Sequence, residues 1–270
     1  MKYVTIGGVP EHFNLPWHLL IEELNSGNAS ARLDWQDFPG GTGEMCAALR
    51  SESIEMAVLL TEGIIKDIDA GNRSEIVEVY ISSPLIWGVH VAAGSKFNTL
   101  DDLKGAKAAI SRVGSGSDLM TKVLADTGGW SKENIPVEIV GGLDGGRKAL
   151  ADGTADYFMW EKYMTKPYVD NGEFRRIGEC PTPWPAFVIA VGRRFMSENA
   201  DLVHSIIELI REKATWVKES PEAIQVFADN YGLRPTDIAD WRLQTLWMQD
   251  SWTPELEADI RSKMKKFGII

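Results

Sequence analysis

Two stretches of the chain, "PGGTGEMCAALRSESIEMAVL" from Pro39 and "VGGLDGGRKALADGTADYFMW" from Val140, superpose when the 270-residue sequence is shifted against itself by 101 positions. At that shift Gly40 and Gly41 fall on Gly141 and Gly142, Ala48 and Leu49 on Ala149 and Leu150, and Glu55 on Asp156. The helix-period stretch from Leu15 then falls on the one from Gly116, and the strand-like run before each double glycine on its counterpart. Agreement of element order at one offset points to a duplicated structural unit, against the alternative of chance similarity between two βα units that the handful of identities leaves open. It predicts two similar βαβαβ lobes.

The local patterns agree with α/β lobes. Apolar, β-branched runs at 3–7, 33–38, 54–60, 76–81, 107–111, 137–140 and 155–160 alternate with stretches whose apolar residues recur at three- and four-residue spacing. Leu15, Leu19, Leu20 and Leu24 form one such stripe, and Leu119, Met120, Val123 and Leu124 another. Two Pro-rich approaches to apolar runs, "SSPLIWGVHVAAGS" and "CPTPWPAFVIAVGRRF", flank the second repeat and read as two crossover strands. The first lobe is therefore expected to be discontinuous, residues 1–86 plus 190–270, with residues 87–189 forming the second. In the C-terminal helices, Ser220-Pro221 and Thr253-Pro254 read as helix starts, as does Thr99 with Asp102 further upstream. Trp216, Trp241 and Trp247 at helical spacing read as core.

Composition removes several classes of partner. A formal net charge of −11 disfavours nucleic acid and anionic membrane surfaces. No apolar run reaches the roughly 18 to 20 residues of a membrane span, and "MKYVTIGGVP" lacks a signal-peptide core, so the sequence as written reads as cytoplasmic. A periplasmic location follows instead if a leader was removed. Cys46 and Cys180 stand alone and read as buried thiols, and His12, His18, His90 and His204 lack metal-ligand spacing. Neither a metal nor a cofactor is expected. No nucleophile elbow is present, and the reading favours no intrinsic catalysis.

In an open parallel sheet, ligands bind beyond the carboxyl ends of the strands, where helix N-termini present free amides. Four corners qualify: "GVPEHFNLP", "FPGGTGE", "SRVGSGSD" and "VGGLDGG". Phe13 and Asn14 lie in the first. In the third, Gly114 and Gly116 permit close backbone approach, Ser115 and Ser117 offer hydroxyls, and Arg112 offers a cation. Ser117 is equally suited to cap its own helix. "GSGSD" has neither the P-loop lysine nor the dinucleotide fingerprint, which disfavours nucleotide anchoring. At the end of a strand, Trp160 can cover a flat ligand and Glu161 accept from an amino group; core packing and a lysine partner explain them equally well. Ser82, Ser83 and Trp87 at the first crossover and Trp184 at the second read equally as hinge packing or ligand contact.

"IGGVPEH", "LRSESIEMAVLLTEG", "TLDDLKGAKAAISRVGSGS" and "LADGTADYFMWEKYMTKPYV" together resemble type II periplasmic solute-binding proteins, in the branch of nitrate, sulfonate, taurine and thiamine-pyrimidine-precursor binders. The resemblance spans roughly residues 1–195, and "TLDDLKG" before a strand and a Gly/Ser corner is its most telling part. It implies two α/β lobes joined by two crossover strands, closing on a ligand by hinge motion. By position it makes Ser111, Ser115, Gly116 and Ser117 the second-lobe ligand corner, Thr42 and Gly43 the first-lobe corner, and places Trp160 and Glu161 beside the ligand. The expected function is binding of a small polar ligand, anionic or heteroaromatic, with an ABC permease as partner if the chain is exported. The alternatives are a cytoplasmic enzyme of thiamine-like pyrimidine metabolism on the same scaffold, or a ligand sensor. The cysteine-rich motif of the related pyrimidine synthase is absent.

Overall fold

A computed structural model of the protein describes residues 2–27 and 31–270. In chain order its elements are β1 (Lys2–Gly8), α1 (Leu15–Ser26), β2 (Ala31–Asp37), α2 (Thr42–Arg50), β3 (Met56–Leu60), α3 (Thr61–Asp69), β4 (Ser74–Ile81), β5 (Ile86–Ala92), β6 (Ala108–Ile110), α4 (Gly116–Thr127), β7 (Val137–Ile139), α5 (Leu143–Asp152), β8 (Tyr157–Glu161), α6 (Lys166–Asp170), β9 (Phe174–Pro181), β10 (Phe187–Gly192), α7 (Arg193–Glu219), α8 (Ala223–Tyr231), α9 (Pro235–Gln244) and α10 (Pro254–Lys266). Short 3-10 turns occupy His12–Asn14 and Leu100–Leu103. The chain divides into two units, residues 1–83 with 184–257, and residues 84–183 with 258–270.

The sheet of the first unit has the order β2-β1-β3-β10-β4 and that of the second β7-β6-β8-β5-β9. In each, the first three strands are parallel, and the fourth runs antiparallel to both of its neighbours. The strand in that fourth position, β10 or β5, comes from the crossover runs. Equivalent elements keep the sequence offset: α1 and α4 begin at residues 15 and 116, α2 and α5 at 42 and 143, and β3 and β8 at 56 and 157. The repeat is thus structural, with β10 and β5 as counterparts. Edge strand β9 was not expected from the sequence, because Arg175, Arg176 and Glu179 break any apolar run; a sheet edge accommodates such a strand.

Burial follows from the spacing. Val4 and Ile6 on β1 and Leu33 on β2 are fully buried, and Leu15 and Leu20 turn the apolar side of α1 inward. On one side of the first sheet, Phe38, Met45, Leu49, Ile54, Leu59 and Ile64 pack with Val188. In the second unit Ala109, Ala149, Leu150, Phe158 and Phe174 form a smaller core. Fully burying a side chain of the size of Leu or Phe is worth roughly 1.5–3 kcal/mol, so these clusters hold each sheet to its helices.

Several local expectations are corrected. Trp216 is 38% exposed, on the outer side of α7, whereas Trp241 and Trp247 are buried as expected. Helix α8 starts at Ala223 with Glu222 as its N-cap, and the Ser220 hydroxyl accepts the Glu222 amide at 3.3 Å instead. Thr253 does serve as a start: its hydroxyl accepts the Leu256 amide at 3.2 Å as α10 begins at Pro254. Thr99 and Asp102 form a reciprocal capping box on the second 3-10 turn. Cys46 and Cys180 are buried, and neither is in a disulfide. Residues 258–270, expected with the first unit, group with the second, where Asp126 accepts both Lys132 and Lys266, each at 3.1 Å.

Candidate functional site

In the first unit, strand register collects the residues 8–14, 37–42, 60–62, 81–83 and 184–187 along the carboxyl edge of the parallel strands. Gly8 is paired with Asp37, and Leu60 with Phe187, which is paired in turn with Ile81. Several buried polar groups there have no partner among the described residues. His12 is fully buried, stacked on Phe13 with centroids 4.7 Å apart and edge-on to Trp241 at 4.3 Å, and neither ring nitrogen has a hydrogen-bond partner. Burial pushes its pKa down to about 3, so the imidazole is neutral. Asn14 donates from Nδ2 to the Val9 carbonyl at 2.8 Å, leaving a buried Oδ1 without a donor. Phe13 packs on Phe187 at 5.1 Å and its carbonyl accepts the Tyr80 hydroxyl at 2.7 Å.

The β3–α3 corner adds a carboxyl group. Glu62, in the first turn of α3, is 1% exposed. The indole nitrogen of Trp184 donates to Glu62 Oε2 at 2.8 Å, and Oε1 has no partner among the described residues. Burial raises the Glu62 pKa to about 7, against the lowering effect of its own amide and of Trp184. Glu11, in the β1–α1 loop, is also pushed up to about 7 by burial. Next to this corner, the Thr61 hydroxyl donates to the Pro185 carbonyl at 2.6 Å, and the Thr42 hydroxyl accepts the Leu60 amide at 3.2 Å. Gly43, the second residue of α2, is exposed.

Ser82 and Ser83 have another task. The Ser82 hydroxyl accepts the amides of Gln249 and Asp250 at 2.9 and 3.0 Å, and that of Ser83 accepts the Leu246 amide at 3.1 Å. Both therefore pin the segment after α9 to the end of β4.

In the second unit the equivalent edge holds residues 111–117, 140–143, 161–165 and 84–87, with Trp87 paired to Glu161. Here the serine side chains of the corner after β6 are engaged within the corner. Ser115, not Ser117, is the N-cap of α4: it accepts weakly from the Asp118 amide at 3.4 Å and donates to the Arg112 carbonyl at 2.7 Å. Ser117 accepts the Ser111 amide at 2.9 Å, and its hydroxyl lies 3.2 Å from that of Ser111 and 3.0 Å from that of Ser115. Gly114 takes φ +75°, a conformation that favours glycine, and donates to Asp118 Oδ2 at 2.7 Å. The first amides of α4, at Gly116 and Ser117, have no acceptor within the helix. Arg112 is exposed.

Trp160 stacks on Phe158 at 5.4 Å and meets Trp87 edge-on at 6.5 Å. The buried indole nitrogen of Trp87 has no partner among the described residues. Glu161 Oε2 accepts the amides of Tyr163 and Met164 at 2.8 and 2.6 Å, so that oxygen closes the turn before α6. Away from this edge, His90 hydrogen-bonds the Phe158 carbonyl through Nδ1 at 3.2 Å, and burial lowers its pKa to about 3.

Among the described residues, no group of three His, Cys, Asp or Glu could hold a metal ion, and no helix is long and apolar enough to cross a membrane. Sequence reasoning missed Glu62. An acidic residue in the first turn of a helix is ordinary dipole chemistry, and nothing local signals that a tryptophan 122 residues away buries it.

Residues 87–180 match the family model described as Ca3427-like PBP. A solved structure, the Candida albicans CA3427 gene product, described as defining a new family with the generic periplasmic binding protein fold, superposes with a TM-score of 0.90 at 23% identity, covering 100% of this chain and 91% of that one. The fold is that of the periplasmic binding proteins. Other proteins of this fold superpose as well. The periplasmic aliphatic sulphonate binding protein SsuA of Escherichia coli has a TM-score of 0.78 at 19% identity over 99% of this chain and 87% of that one. The alkanesulfonate-binding protein SsuA of Xanthomonas axonopodis pv. citri, bound to MOPS, has 0.84 at 17% identity over 99% and 92%. Comparison with curated proteins finds none that matches. In periplasmic-binding-protein terms, the two five-stranded sheets are the two lobes, and β5 and β10 are the strands entered from the crossovers.

Proposed function

We propose that the protein binds a small polar ligand, anionic or heteroaromatic, by closing its two lobes on it. The observation that carries this reading is the set of buried polar atoms without partners at the carboxyl edge of the first sheet: Asn14 Oδ1, Glu62 Oε1 and both nitrogens of His12. Leaving such groups unpaired costs roughly 1–3 kcal/mol each, and a protein retains that cost where a ligand supplies the missing bonds. The free amides at the start of α4 offer complementary donors from the second sheet, and Trp160 a flat apolar surface. Phe13, Thr42 and Trp184 position the first edge; Trp87, Ser111, Ser115 and Ser117 the second. Sulfonate-binding proteins of the same fold support an anionic ligand. Delivery to an ABC permease is the role this reading assigns if the protein is exported.

The test is thermal unfolding and tryptophan fluorescence against alkanesulfonates including MOPS, nitrate, aromatic carboxylates and thiamine pyrimidine precursors. A ligand at 100 times its Kd stabilises the folded state by about 2.7 kcal/mol, a readable rise in Tm. Saturable stabilisation by one class is expected. Absence of any shift across the panel overturns the reading.

A further inference from the structure

We propose that Glu62, held by the indole of Trp184, donates a hydrogen bond to an oxygen of the ligand, so that the edge of the first sheet selects sulfonates, phosphates or carboxylates and rejects amines. The inference rests on the binding function proposed above and names the chemistry of that site.

The geometry assigns the two carboxyl oxygens different roles. Oε2 accepts the Trp184 N–H at 2.8 Å and is therefore the carbonyl-like oxygen. In the neutral acid the proton is then carried by Oε1, the oxygen with no partner among the described residues. A buried O–H aimed at no protein acceptor seeks an acceptor from the ligand. The start of α3 acts in the same sense, because the amides of a first helical turn and the positive end of the dipole favour negative charge.

Among the described residues no cation is paired with Glu62: Lys66, one turn further along α3, forms no ion pair with it, and the elements packed on α3 supply none. Strands β3 and β10 carry no ionisable side chain. Helix α2 brings Glu44, whose carboxylate accepts the Gly40 amide at 2.8 Å, the buried Cys46, and Arg50, which is bound to Asp67 at 2.8 Å near the far end of α3. The neutral form is thus the form of Glu62 below its raised pKa of about 7. Above that value an ionised Oε1 would repel an anion.

The conservative variant Glu62→Gln separates donation from charge, because its amide keeps an acceptor for Trp184 and presents an N–H₂ donor in place of the O–H. The experiment titrates wild type, Glu62→Gln and Glu62→Ala with MOPS, an unsubstituted alkanesulfonate and an alkylamine of equal chain length, at pH 6 and pH 8.5. Circular dichroism verifies that each variant is folded. The unsubstituted alkanesulfonate keeps its charge across this range, so any pH effect on its binding belongs to the protein; the morpholine nitrogen of MOPS itself titrates here, and MOPS serves for comparison at a single pH.

Wild type is expected to bind the sulfonate about tenfold more tightly at pH 6 and to ignore the amine. Glu62→Gln should keep the pH 6 affinity within about threefold and lose the pH dependence, while Glu62→Ala should weaken binding about tenfold or more. Sulfonate binding abolished by Glu62→Gln, or left unchanged by Glu62→Ala in a folded protein, overturns this inference and leaves the binding function standing. Amine binding that Glu62→Gln abolishes also overturns it, by showing that an ionised carboxylate recognises a cation. If wild type binds no member of the wider panel, the binding function fails first and takes this inference with it.

Discussion

The hydroxyl of Ser117 accepts the amide of Ser111 at 2.9 Å, so α4 closes its own entrance with a side chain that reaches back to the end of β6. Two residues earlier, Ser115 caps the same helix. Both serines therefore carry stability whether or not a ligand contacts them. Ser115→Ala and Ser117→Ala should each lower the urea-unfolding free energy by about 1 kcal/mol. A contact with the ligand adds a loss of affinity measured at a temperature where both variants are fully folded. An unfolding free energy unchanged by either substitution contradicts the capping role.

Gly114 precedes this cap with φ +75°. An alanine there places Cβ in a conformation disfavoured by about 1 kcal/mol or more. Gly114→Ala should therefore destabilise the protein by at least that much, read as a lower midpoint in urea. Asp118→Ala should cost a similar amount by removing the 2.7 Å acceptor of the Gly114 amide.

Gly63 lies against Thr42, and a Cβ on Gly63 would come within 2.4 Å of Thr42 Cγ2. Gly63→Ala should cost about 1–3 kcal/mol through this overlap, despite the better helix propensity of alanine. Thr42→Ser removes the obstructing methyl and retains the hydroxyl that accepts the Leu60 amide. In the Thr42→Ser background, Gly63→Ala should become neutral or stabilising, a coupling of at least about 1 kcal/mol in a double-mutant cycle. Simple additivity would show that the two positions do not meet.

Buried ionisable groups oppose one another in the pH dependence. His12 is held neutral with its pKa lowered from 6.5 to about 3, so the unfolded chain binds a proton that the folded protein does not, and stability falls as pH drops from 6.5 toward 3. Glu62 has its pKa raised from 4.5 to about 7, so the folded protein keeps a proton that the unfolded chain loses, and its contribution falls as pH rises from 4.5 to 7. Each acts with a slope of up to about 1.4 kcal/mol per pH unit. His12→Phe should therefore make the acid loss shallower between pH 3 and 6.5, and Glu62→Gln should make it steeper between pH 4.5 and 7. Urea midpoints at half-unit pH steps measure both slopes; parallel curves for all three proteins would contradict the burial of these groups.

The sequence by itself determined the repeat and with it the class of fold. Helices α1 and α4, α2 and α5, and strands β3 and β8 begin 101 residues apart, because apolar spacing and helix starts are local properties that a duplicated sequence retains. The corners holding Phe13, Asn14, Thr42 and Ser115 were legible for the same reason: a glycine or capping residue at the end of an apolar run marks where a strand gives way to a helix. Only the tertiary structure decided which of those groups are spent and which are left over. Ser83 is engaged by a backbone amide 163 residues away, and Glu62 is buried and oriented by a tryptophan 122 residues away. Hydrogen-bond satisfaction and desolvation depend on neighbours in space, and residue spacing along the chain does not encode them.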